Sequence, residues 1–286
     1  MRKLLGVLAV CVLLGAAVGW FLTRPAPLDP QFAAGHAADA ANGQLVFAAA
    51  GCASCHAAPE ASGEDKLVLA GGYSFASDFG TFYAPNISPG PQGIGGWSLP
   101  DFARAVTEGV SPEGRHYYPA FPYASYQHMT PGDVSDLYAY MQTLPVSEAQ
   151  SRAHDLGFPF NIRRSVGDWK LLFGGEGYQM ADVGSPTLER GRYLVEALGH
   201  CAECHTPRNA LGGLDRSAWL SGAPNPSGKG EIPNITPGAL DWSESDLVYY
   251  FESGFTPDYD SVGGSMAAVA SNLAQLPESD RVAVAA

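Results

Sequence analysis

Gly51-Cys52-Ala53-Ser54-Cys55-His56 recurs further along the chain as His200-Cys201-Ala202-Glu203-Cys204-His205. Each copy reads C-x-x-C-H, the spacing that joins haem covalently to a polypeptide. Two thiols on one helical turn reach the two vinyl groups of one porphyrin. The histidine that follows is placed to give iron a proximal nitrogen. The sequence therefore predicts two covalently bound haem c groups, one on Cys52, Cys55 and His56 and one on Cys201, Cys204 and His205. The rivals are a disulfide pair and a split Cys/His zinc site. Thioredoxin-like chemistry would want a βαβ context, which is missing. A four-ligand zinc site would need both copies to converge, and their long separate contexts argue against that.

Size and composition set the outer limits. The chain has 286 residues, enough for two domains, and 46% of them are apolar, enough for a true core. Gly 34 and Pro 22 favour short helices joined by long ordered loops over a continuous sheet. Four of the 5 cysteines lie in the two motifs, and Cys11, in the N-terminal apolar run, says nothing about a disulfide framework. The formal charge of −13 excludes nucleic acid as a partner, because a polyanion needs a basic footprint. An acidic surface steers instead toward a basic docking patch.

Met1-Arg2-Lys3 precedes a largely apolar run from Leu4 to Leu22. Residues 1–22 read as a signal peptide or a single membrane anchor, and 19 apolar residues just meet the length that spans a bilayer. Ala17-Val18-Gly19 is a passable cleavage site, but the reading favours a retained anchor at residues 4–22. Arg2 and Lys3 would stay inside, which puts the rest on the periplasmic side of a bacterial inner membrane. Residues 23–40, rich in Pro and Ala, read as a tether.

The remainder divides into a first unit at 41–145, a packed connection at 146–186 and a second unit at 187–286. In the first, Asn42 is a candidate cap for a helix leading into Cys52. Aromatic residues among glycines, from Tyr73 to Tyr83, suggest loops folded over a large flat ligand. Trp97-Ser98-Leu99-Pro100-Asp101 opens a helix, and Thr130-Pro131 opens another that ends near Leu144-Pro145. In the second unit, Glu189 to Ala197 parallels the run from Asn42, and Pro233-Asn234-Ile235-Thr236 parallels Pro85-Asn86-Ile87-Ser88. Trp242-Ser243 parallels Trp97-Ser98. With the two motifs, these matches in one order predict an all-α chain made by internal duplication, with long ordered loops.

The sixth iron ligand decides potential, because a thioether stabilises ferrous iron. For the second haem Met266 is the candidate, in a Gly-Gly-Ser-Met loop ahead of the last helix. For the first, the choice lies among Met129, Met141, His116 and His128. Met141 falls inside a helix and reads as core, whereas Met129 stands at the mouth of that helix and is the preferred ligand. An open position is the remaining alternative.

The chain resembles the membrane-associated cytochrome c subunits that serve bacterial quinoprotein alcohol dehydrogenases and flavin-dependent sugar or gluconate dehydrogenases. The resemblance runs from about Asn42 to the C-terminus. It is carried by Gly80-Thr81-Phe82-Tyr83-Ala84-Pro85-Asn86-Ile87-Ser88, Gly95-Gly96-Trp97-Ser98, Tyr118-Pro119-Ala120-Phe121-Pro122-Tyr123 and Cys204-His205-Thr206-Pro207-Arg208-Asn209. It implies two class I cytochrome c-like haem domains that pass electrons and have no catalysis of their own. The donor would be a periplasmic or membrane dehydrogenase or a quinol-oxidising complex. The acceptor would be a soluble cytochrome or a terminal oxidase. Three departures stand out. Such subunits usually carry three C-x-x-C-H sites and this chain has two. Phe121 stands where they often place a methionine. The last helix, stopping at Ala286, would be clipped or completed by a partner. A dihaem peroxidase and a fixed haem subunit of a respiratory supercomplex are the competing functions.

Overall fold

The computed structural model describes every residue except 1, 27, 28, 176, 182, 227 and 229. Helices dominate the described residues, and strands are few and short, as the Gly/Pro-punctuated sequence predicts. Helix α1 (Arg2–Leu22) is long and apolar enough to cross a membrane. Its C-terminal end is fastened to the body. Arg164 Nη2 donates to the Trp20 carbonyl at 2.8 Å and its guanidinium lies over the Trp20 ring. His116 Nε2 donates to the Thr23 carbonyl at 3.0 Å.

The predicted tether is largely laid down on the protein, although Pro27 and Leu28 fall outside the described residues. Phe32 packs on the core, and His36 Nε2 meets Asp136 at 2.7 Å. Helix α2 (Ala40–Ala49) starts earlier than expected. Asp39, not Asn42, is its cap, accepting from the amides of Ala41 and Asn42. Asn42 instead donates to Asp133 and Asp136 across the helix interface. The first motif forms α3 (Cys52–His56). A hairpin of β1 (Ser74–Ser77) and β2 (Gly80–Tyr83) follows, pairing Phe75 with Phe82 in antiparallel register. The aromatic stretch is thus partly a small sheet, which β3 (Asp155–Leu156) extends. Next come α4 (Leu99–Glu108), α5 (Tyr123–Tyr126) and α6 (Pro131–Met141). Ser98 and Asp101 form a reciprocal capping box on α4, and Thr130 caps α6 ahead of its proline.

After α7 (Ser165–Phe173), α8 (Pro186–Arg192) runs directly into a turn of π-helix at Tyr193–Leu198. The second motif forms α9 (Ala202–His205), followed by the two-residue strands β4 (Ala223–Pro224) and β5 (Glu231–Ile232). Then α10 (Glu244–Ser253), α11 (Met266–Leu273) and α12 (Glu278–Ala285) close the fold. Two helix crossings depend on glycine. A Cβ on Gly43 of α2 would lie 2.0 Å from the Asp136 carbonyl of α6, and one on Gly191 of α8 would lie 2.0 Å from the Ala283 carbonyl of α12. Only a residue without a side chain lets backbones approach so closely. One apolar core joins both halves: Val46, Phe47, Val134 and Leu137 belong to the same cluster as Leu194, Leu198, Leu273 and Leu276.

Candidate metal centres

Each motif histidine is oriented by its own proline carbonyl. His56 Nδ1 donates to Pro85 O at 2.9 Å, and His205 Nδ1 donates to Pro233 O at 2.8 Å. A carbonyl can only accept, so Nδ1 carries the proton and Nε2 is left with its lone pair. That is the tautomer a metal ligand needs, and the bond fixes the ring plane. Burial also pushes His56 below its ordinary value, favouring the neutral ring. The loops holding the two prolines match in detail. Gly71 N donates to His56 O and Gly222 N to His205 O, both at 2.7 Å. Both glycines have left-handed backbone, and a Cβ on either would strike the chain at Pro85 or at Pro233. Ile87 N bonds Leu69 O, and Ile235 N bonds Leu220 O, both at 3.0 Å.

The donor chemistry disfavours the rivals. All four motif cysteines are free thiols, so no disulfide joins them. Burial pushes Cys52 up to about 12, with a further contribution from Cys55, and burial pushes Cys55 and Cys201 up to about 11. Exchange chemistry needs the thiolate and is disfavoured by that shift. Among the described residues no three His, Cys, Asp or Glu side chains converge as a metal site. The surroundings instead fit a large flat group bearing carboxylates. A cleft beside the second motif is lined by Glu203, Arg208, Arg216 and Trp219. Trp219 Nε1 and the Tyr123 hydroxyl are buried with no protein partner among the described residues, which suits donors awaiting a bound acceptor.

The two motifs lie side by side. Tyr126, 6% exposed, donates its hydroxyl to Ala50 O at 2.7 Å and stands edge-on to the His200 ring, 5.7 Å between centroids. Asn272 Nδ2 donates to Ser54 Oγ at 3.0 Å, tying α11 to α3. His200 precedes Cys201 with φ +42, where Gly51 precedes Cys52 with φ +66. A histidine in the left-handed region carries a strain of roughly 1–3 kcal/mol that its surroundings must hold. Sequence reading missed Tyr126, His200 and the two carbonyl acceptors. Only the repeated Pro-Asn-Ile phrase pointed toward the last.

Of the ligand candidates, Met266 is partly exposed at the first residue of α11. Met129 is 6% exposed and belongs to the hydrophobic core. His116 is turned to Thr23 at the end of α1, and His128 stacks on Tyr178 at 4.6 Å. Arg163 sits over the Tyr118 ring and donates to His116 O at 3.1 Å, so the Arg163-Arg164 pair serves the junction with α1.

A protein-family model described as cytochrome c matches residues 40–145. A protein named diheme cytochrome c-type from Cereibacter sphaeroides is 56% identical over 287 residues, covering 100% of this chain and 97% of the relative. The fructose dehydrogenase cytochrome subunit of Gluconobacter japonicus is 39% identical over 270 residues, covering 91% of this chain and 54% of the relative. The cytochrome c subunit of the quinone alcohol dehydrogenase of Gluconobacter oxydans is 34% identical over 270 residues, covering 88% and 55%. The chain therefore spans about half the length of these dehydrogenase subunits.

Proposed function

This chain belongs to the dihaem c-type cytochromes and binds two haem c groups covalently, and on that premise we propose that it relays electrons from a dehydrogenase partner, or from quinol, to a downstream acceptor. The observation that carries the reading is the juxtaposition of the two attachment motifs through Tyr126 and His200. Two redox groups held this way exchange electrons without movement of the chain. Each bound haem supplies a one-electron redox step.

The chain's own residues hold and tune those groups. Cys52, Cys55, Cys201 and Cys204 form the thioether links. His56 and His205, kept in one tautomer by Pro85 and Pro233, would be the proximal ligands. Met266 would supply the sixth ligand of the second haem. The matched loops, caps and glycine crossings support an internal duplication, with one cytochrome c domain at 41–145, a second at 187–286 and residues 146–186 packed between them. Helix α1 serves as leader or inner-membrane anchor and leaves the remainder on the periplasmic side. The partner is read from relatives that are subunits of fructose and alcohol dehydrogenases.

The test is purification of the full chain from native membranes in mild detergent, with co-purifying proteins identified and each haem titrated. We expect an intact mass with two haems and reduction of both by the co-purifying dehydrogenase or by a quinol analogue. A haem-loaded protein that neither donor reduces would rule out the relay.

A further inference from the structure

The loop between α4 and α5 and the loop between α10 and α11 are laid out in the same way. Ser98 and Ser243 begin capping boxes, and Gly109 and Gly254 end the helices in left-handed backbone. A bridge then joins Val110 to His116 and, in the later loop, Phe255 to Ser261. Tyr117 N donates to Gly109 O and Val262 N to Gly254 O, both at 2.7 Å. Ser111 N donates to Arg115 O at 2.9 Å and Thr256 N to Asp260 O at 2.8 Å. Every pair keeps one constant spacing along the chain. The same spacing from Phe121 lands on Met266.

Phe121 also sits close to the first motif. Its ring lies 5.7 Å from that of Tyr126, whose hydroxyl is taken by Ala50 O two residues before Cys52. Tyr117 and Tyr123 complete its surroundings, with ring centroids 6.1 and 6.3 Å away. A phenyl ring offers no electron pair to iron. Met129 lies eight residues further on and belongs to the hydrophobic core.

We propose that the first haem has no side-chain ligand at its sixth position, and that this open position beside Phe121 binds a small uncharged diatomic molecule. The rings of Tyr117, Tyr123 and Tyr126 around Phe121 favour a small neutral ligand over a hydrated anion. The inference rests on the two-haem reading above, and intact mass checks that premise separately from ligand binding.

Carbon monoxide added to the fully reduced, full-length haem protein is the probe, with absorption spectra as readout. The expected result is about one equivalent bound per chain. Phe121→Met should abolish binding and add intensity to the near-infrared sulfur-to-iron charge-transfer band of the oxidised protein. Met266→Ala should raise binding to about two equivalents. The proposal is overturned if the unaltered protein binds no carbon monoxide. It is also overturned if Met129→Leu creates binding that the unaltered protein lacks, which would make Met129 the ligand. Binding that persists in Phe121→Met and does not increase in Met266→Ala would place the open position on the second haem and overturn the proposal as well. A mass showing fewer than two haems would instead remove the premise.

Discussion

Asp136 is 3% exposed and gathers His36, the amide of Asp39 and Asn42 around one carboxylate. Burial raises its proton affinity, but these donors win and hold it below its ordinary value near 3.8. A depressed carboxyl contributes stability that is present above its unfolded value and lost as pH falls through the folded one. Asp136→Asn keeps the shape and removes the charge. It should cost about 2–3 kcal/mol at neutral pH and flatten the acid loss below about pH 4, measured by urea titration across pH. At Lys170 it is the charged form that the fold disfavours. Its side chain donates to the carbonyls of Glu108 and Gly109, and burial lowers it to about 8 from 10.5, partly opposed by Glu108. The unfolded chain binds the extra proton between those values, so stability should rise from pH 8 to 10.5. Lys170→Met should remove that rise, and an unchanged alkaline slope in the variant would contradict the assignment.

Helices set the geometry in matched pairs, and the pairing makes equal predictions for distant sites. Ser98→Ala and Ser243→Ala each delete a capping box and should each cost about 1 kcal/mol in denaturant unfolding. Gly43→Ala and Gly191→Ala each force a methyl onto a facing carbonyl and should cost more, about 2–4 kcal/mol, with α2–α6 or α8–α12 prised apart. Much of this was legible beforehand, because Ser98, Thr130 and Pro131 announce helix starts through local hydrogen bonding alone. The cap of α2 was not. Asn42 and Asp39 are both good cap residues, and the choice was made by Asp133 and Asp136, nearly a hundred residues away, which claimed the side-chain amide of Asn42. The hairpin of β1 and β2 was hidden for a similar reason. Its short strands are stabilised by β3, by Phe82 against Tyr118 and by His154, none of which adjoin it in sequence.

For the whole molecule, the two motifs and their histidines were plain in the sequence because their chemistry depends on adjacent residues. The contact between them was not, since Tyr126, His200 and Ala50 meet only through the fold. Residues from both halves fill one interior, so calorimetry should record a single unfolding transition, and two separated transitions would count against a common core. That shared interior also constrains biogenesis. Haem attachment at either motif should stabilise the whole interior, because residues beside both motifs pack into the same cluster. A chain loaded only once should therefore be less stable throughout, not in one half alone, and cells short of haem should clear it faster than the two-haem form.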